Sequence, residues 1–327
     1  MHGTIRFFLA TLVLLSHLGI TFYGYNLGVS AVVLFYLLAG MVSYKLLSTM
    51  YENRPVAYYL DRIKRIFPLY FLVLAFSYGV YLLGASSYFI SSSPDFVSFL
   101  SNLTIIPLSY YMYSGIDKFT LLPPAWSLGV ELQFYILAPF IILHLKKTLI
   151  LLFLSLGVYL LAITGVLQTD YFGYRLIVGV LFIFLLGALI EKQKLMGVRI
   201  HPDPLIFVYI LLIITAIYIH TIGYKAPYNY ETLAALLIGI PFFALHKKIQ
   251  KFATIDKYLG SLSYAVFLVH FPVFWLFELY GYNSKELFLI LPMTLFLSMF
   301  FVFLENRINL FLHNNKNKKF IPHHHQK

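Results

Sequence analysis

Hydropathy divides this chain into ten apolar runs, near residues 5–22, 27–48, 66–87, 126–144, 148–166, 175–191, 204–221, 232–246, 260–280 and 287–305. Each is close to the length of about 20 residues that a helix needs to cross a bilayer. The run at 232–246 is the shortest. The pattern predicts an all-α, polytopic membrane bundle of about ten transmembrane helices. Segment 96–113 is also apolar, but Asn102, Pro107 and Ser109 interrupt it. It is placed in an extracytoplasmic loop, with a re-entrant form allowed. The first run has no small-x-small cleavage pattern before Asn26, so it is expected to stay as an uncleaved span. No internal repeat or linker interrupts the series. One transmembrane domain is expected over 1–312, with a short basic cytoplasmic tail at 313–327.

Composition agrees. Of 327 residues 60% are hydrophobic and only 11% charged, with a mean hydropathy of +0.81. Soluble domains carry about 25% charged residues, so lipid must serve as solvent for most of this chain. The net charge of +11 would suit nucleic acid, but its placement does not. The basic residues sit in short loops between apolar runs, as the positive-inside rule expects. With the N-terminus in the cytoplasm, ten spans put 20 of the 24 Lys and Arg on the cytoplasmic side. These include Lys146-Lys147, Lys247-Lys248, Arg199, Lys251 and, in the tail, Lys319 and Lys327. Only Lys118, Arg175, Lys225 and Lys285 fall outside. Both termini are therefore expected in the cytoplasm, in an inner (plasma) membrane. There are no cysteines, which excludes disulfides, thiolate metal sites and Cys nucleophiles. The run His323-His324-His325 is a weak metal signal, and no metal is expected.

Against this background a few polar residues stand out, because ionisable groups inside membrane helices are costly and usually functional. Arg6 and His17 are eleven residues apart, three helical turns plus about 20°, so they share a face about 16 Å apart along the axis. His17 suits a general base; the plainer reading is a core histidine bonded to a neighbouring helix. Arg62 and Arg65 are i, i+3 neighbours, with Lys64 turned away, at the cytoplasmic mouth of the third span. Guanidinium pairs suit phosphate, although topogenic charge alone would also explain them. Ser127, Glu131 and Tyr135 form a polar stripe at i, i+4, i+8 on the fourth span. Glu131 comes out roughly 20 Å above the cytoplasmic edge and His17 about 18 Å, which makes them candidates for an acid–base pair. Arg175, His270 and Glu305 rank second.

In order and spacing these residues resemble the membrane acyltransferase-3 family, which includes O-acetyltransferases of bacterial surface polysaccharides. The resemblance runs almost end to end. It rests on Arg6 with ten residues before His17, the Arg62-x-x-Arg65 pair, and Trp126-Ser127-Leu128 with Glu131, Phe134 and Tyr135. The Arg175…Gly187 helix and Ser261-Leu-Ser-Tyr264…His270 complete it. The chain departs from the family at His2-Gly-Thr-Ile5, at Leu38-Ala39-Gly40, and at Asn306 or Arg307, where a proline usually follows the last glutamate. No fused hydrolase-like domain of the kind some relatives carry is expected.

The resemblance implies transfer of an acyl group, usually acetyl, from cytoplasmic acyl-CoA to a hydroxyl of an extracytoplasmic carbohydrate of the bacterial cell envelope. It implies that Arg6, Arg62 and Arg65 hold the CoA, that His17 is the base or transient acyl carrier, and that Glu131 orients its imidazole. Trp126, Ser127, Tyr135, Arg175 and His270 are then candidates to bind substrate. The expected donor is acetyl-CoA, and the expected partners are a carbohydrate acceptor and lipid, with an oligomer allowed. The competing reading is a transporter or flippase, which also uses buried Arg, His and Glu; it predicts inverted repeats, and none is seen.

Overall fold

A run of twenty apolar residues can satisfy its backbone in lipid only by closing its hydrogen bonds internally, and helices result. The structure, a computed structural model, describes residues 2–197, 200–201, 203–246, 253–282 and 286–318, with side chains to residue 311. Among these the chain forms α1 (Gly3–His17), α2 (Leu27–Lys45), α3 (Pro55–Leu82), α4 (Phe96–Thr104), α5 (Tyr111–Ser114) and α6 (Ala125–Ile141). There follow α7 (Leu145–Ile163), α8 (Ile177–Met196), α9 (Pro204–Thr221), α10 (Asn229–Leu245), α11 (Ala253–Leu279) and α12 (Leu287–Lys318). No strand is present among the described residues beyond one isolated bridge, Phe22–Tyr25.

Seven helices are long and apolar enough to cross a membrane by length and composition: α2, α3, α7, α8, α9, α11 and the Leu287–Phe311 part of α12. The shorter apolar helices α1, α6 and α10 account for the other three predicted runs. The protein is thus an all-helical, multi-pass membrane protein. Several residues used in the topology count, Arg199, Lys247, Lys248, Lys251, Lys285, Lys319 and Lys327, lie outside the described residues, as do His323–His325. The helical backbone of α12 continues past the expected boundary at 312/313 to Lys318.

Three boundaries differ from expectation, each for a local reason. α1 ends at His17, five residues early, because the chain reverses through Gly19 (φ 79°) and Gly24 (φ 82°) into the Phe22–Tyr25 turn. α3 starts at Pro55, where a missing N–H costs a first helical turn nothing. Arg62 and Arg65 therefore lie within the helix rather than ahead of it. Segment 96–113 is folded: Asp95 and Ser98 form a capping box for α4. Asn102, fully buried, then stitches this cap together. Its Nδ2 donates to Ser98 O (2.8 Å) and Phe119 O (2.9 Å), and its Oδ1 accepts from Leu121 N (2.9 Å).

Two close helix pairs position the site. On α2 and α8, a Cβ at Gly40 would strike the Phe184 carbonyl, and one at Gly187 the Leu37 carbonyl. Without a hydrophobic drive between helices in lipid, such close backbone packing holds them. On α1 and α11, Gly3 meets the Asp256 carbonyl and Thr4 N donates to Asp256 Oδ1 at 3.0 Å. Fourteen residues further along each helix His17 meets His270. The two helices therefore run parallel and in register over about 21 Å.

Candidate functional site

The polar residues gather around two adjoining cavities of about 100 and 140 Å³ inside the bundle. The first lies toward the end where α1 begins. Arg6 reaches it from α1, Arg62 and Arg65 from α3, and Glu131 and Tyr135 from α6. The second lies toward the end where α1 stops and holds His17, Trp126 and Arg175. Val32 of α2, Ser127 of α6 and Phe267 of α11 line both. The shared wall follows from helix direction. α1 descends from Arg6 to His17 while α6 runs the other way, from Trp126 and Ser127 to Glu131 and Tyr135.

The arginine cavity is balanced rather than bare. Arg62 pairs with Asp61, which also accepts from Tyr51 Oη at 3.0 Å. Its guanidinium lies over the rings of Tyr58 (5.9 Å) and Tyr135 (5.5 Å). Arg65 is more exposed and touches Gly260 O at 3.3 Å. Both line the cavity while the exposed Lys64 does not, as the i, i+3 spacing requires. Glu131 Oε1 accepts from Tyr135 Oη one turn along α6. Arg6, at the far end of α1 from His17, completes the cluster.

The expected pairing of His17 with Glu131 is not formed. Because α1 stops at His17, that residue stands level with Trp126 and Ser127, while Glu131 lies a turn deeper among the arginines. The partner of His17 is His270, Nδ1 to Nε2 at 3.1 Å, with the rings nearly parallel. His270 Nδ1 is 3.0 Å from Val266 O. A carbonyl only accepts, so His270 Nδ1 carries a proton. His270 is completely buried among Phe267, Phe271 and Phe274. With a single proton on its ring, at Nδ1, its Nε2 is an acceptor, and His17 Nδ1 is the donor. This leaves the lone pair of His17 on Nε2, on a residue that lines the second cavity. His270, expected to touch substrate, has no surface to offer one and lines neither cavity.

Across the second cavity, Arg175 ends a π-helical turn, Tyr171–Arg175, that leads into α8. Asp170 holds it at 2.7 Å, and its guanidinium lies 4.4 Å over Trp126, with Tyr174 (5.2 Å) and Tyr111 (5.4 Å) around it. Ser127 Oγ donates to Pro124 O at 3.0 Å. Tyr174 and Tyr228 add aromatic wall. Sequence reading missed Asp170, Tyr174, Tyr228 and Tyr36. Among 27 tyrosines spread through apolar runs, nothing marks the ones that meet at a cavity. Glu305 belongs to neither cavity. Among the described residues no group of three His, Asp or Glu is disposed to hold a metal ion.

Comparison with known proteins adds an independent view. An uncharacterized protein of Aquifex aeolicus (strain VF5) is 39% identical over 159 residues, 48% of this chain and 72% of that protein. No solved structure matches. A family model described as an acyltransferase domain matches residues 4–304, a range that takes in Arg6, both cavities and His270. With nearly the whole chain under that match, the protein belongs to the acyltransferase-3 family.

Proposed function

We propose that this protein carries an acyl group, acetyl in the simplest case, from cytoplasmic acyl-CoA to a hydroxyl of an extracytoplasmic, envelope-type carbohydrate. The observation that carries the reading is the pair of cavities joined at Val32, Ser127 and Phe267, arginines in one and the free nitrogen of His17 in the other. Arg6, Arg62 and Arg65 bind the CoA phosphates, since planar guanidinium forks match phosphate oxygens. The thioester arm then runs along the first cavity toward the shared wall. The acceptor enters the second cavity against Trp126 and Arg175. His17 Nε2 takes the hydroxyl proton, the new oxygen–carbon bond forms as the carbon–sulfur bond breaks, and the imidazolium returns the proton to the leaving thiolate. The same lone pair would serve if His17 carried the acyl group between two half-reactions. Glu131, with Tyr135, balances the charge of the arginine cluster instead of orienting the imidazole. The ten-span arrangement with both termini in the cytoplasm belongs to this reading, because it puts the arginine cavity on the side where acyl-CoA is found.

The test uses purified protein in lipid vesicles with acetyl-CoA, followed by release of free CoA thiol and by binding of CoA itself. Saturable thiol release with a disaccharide acceptor is expected. Movement of the disaccharide across the bilayer with no thioester cleavage would replace this reading with transport.

A further inference from the structure

Among the described residues, four tyrosines are no more than 2% exposed. Three of them donate a hydrogen bond: Tyr58 to Ser43 Oγ (2.9 Å), Tyr70 to Asn102 O (2.7 Å) and Tyr159 to Thr232 Oγ1 (3.1 Å). The fourth, Tyr36, is 2% exposed, and its hydroxyl has no partner among the described residues. A buried donor left unmade costs stability, and such exceptions need a reason. The ring of Tyr36 packs on Phe184 at 4.6 Å and lines the arginine cavity. Tyr36 stands one turn along α2 from Val32, which lines both cavities. The side chain that carries the unused donor therefore lines the arginine cavity, one turn from the wall that the two cavities share.

We propose that Tyr36 is a catalytic residue whose hydroxyl donates a hydrogen bond to the carbonyl oxygen of the acyl donor as that oxygen gains negative charge. This rests on the acyl-transfer reading and adds the group that stabilises its transition state. The phenol keeps its proton throughout. The acceptor oxygen bonds to the carbonyl carbon, the carbon–sulfur bond breaks, and the acceptor proton reaches the thiolate through His17. A fixed donor aimed at a developing oxyanion, in a site shielded from water, is worth more than the same bond in solution. The buried hydroxyl is thus unsatisfied in the resting protein and satisfied as the reaction proceeds.

The test is Tyr36→Phe in the full chain, in lipid vesicles with acetyl-CoA, read as thiol release and as thermal unfolding. The variant removes one oxygen and keeps the packing on Phe184. The kcat should fall about 10²–10³-fold, with KM for acetyl-CoA unchanged. Tm should be equal to or above that of the parent, because an unsatisfied polar atom has been removed. An unchanged kcat overturns the proposal. A lowered Tm also overturns it, since the hydroxyl would then have a structural partner. The parent run in parallel separates the two levels: no acceptor-dependent thiol release by the parent removes the acyl-transfer reading and this proposal together, whereas an active parent beside a fully active Tyr36→Phe removes the role of Tyr36 alone.

Discussion

His17 has one ring nitrogen committed to His270 and one open to a cavity, and the commitment is set by a backbone carbonyl two bonds away in the chain of contacts. If this chain fixes the tautomer, His270→Phe, which accepts nothing, should lower transfer by about 10²–10⁴, the range of a general base. His270→Gln, whose amide oxygen still accepts from His17 Nδ1, should keep part of it. The parent rate should fall toward acid as His17 takes up a proton and loses its lone pair, and rise to a plateau toward base. Equal activity of the Phe and Gln variants, with the parent pH profile, would make His270 mere packing. Among the arginines, Arg65 gives the cleaner experiment. Arg62→Ala would strand the half-buried Asp61, whereas the hydrogen bond of Arg65 among the described residues is a long one to Gly260 O. Arg65→Ala should weaken CoA binding by about 1.5–3 kcal/mol, roughly ten- to a hundredfold, and Lys should rescue poorly. An unchanged CoA affinity would leave Arg65 a topogenic charge. The arginines and His17 were legible because charge in an apolar run is conspicuous. The His17–His270 contact was not, since the two residues are 253 positions apart and nothing local marks their register.

At the scale of elements, helix existence was written in hydropathy, and helix ends were not. The turn after His17 depends on Gly19 and Gly24 adopting positive φ inside a run that still reads as apolar. The folded cap over 96–113 was hidden for a related reason: Asn102 looks like an interruption in sequence, yet its amide makes three hydrogen bonds. Asn102→Ala should lower stability by about 3 kcal/mol or more, since buried backbone partners lose their mates. A variant with unaltered thermal unfolding would mean the cap is not held by this residue. The α2–α8 contact gives a second check. Gly187→Ala puts a methyl against the Leu37 carbonyl and should cost about 1–3 kcal/mol, read as a lower Tm in detergent. Unchanged Tm would contradict the close approach of these helices.

Across the whole molecule, the two cavities adjoin at Val32, Ser127 and Phe267, and in the proposed reading donor and acceptor approach them from opposite ends. In the proposed topology, the charge pattern turns the end with the arginine cavity toward the cytoplasm. Lys118 precedes α6 and Lys147 follows it, so the length of that helix, about 25 Å, lies between them. Both are exposed, and the absence of native cysteine makes them clean labelling sites. Cysteine at Lys118 should react with an impermeant reagent outside the cell, and cysteine at Lys147 only with one that enters. The most direct test of the account uses vesicles oriented by those labels, with acetyl-CoA supplied only on the Lys147 side and a disaccharide only on the Lys118 side. The parent should acetylate the disaccharide across the bilayer. His17→Ala should bind CoA as well as the parent and form no product. Product formed by His17→Ala at the parent rate would contradict the account.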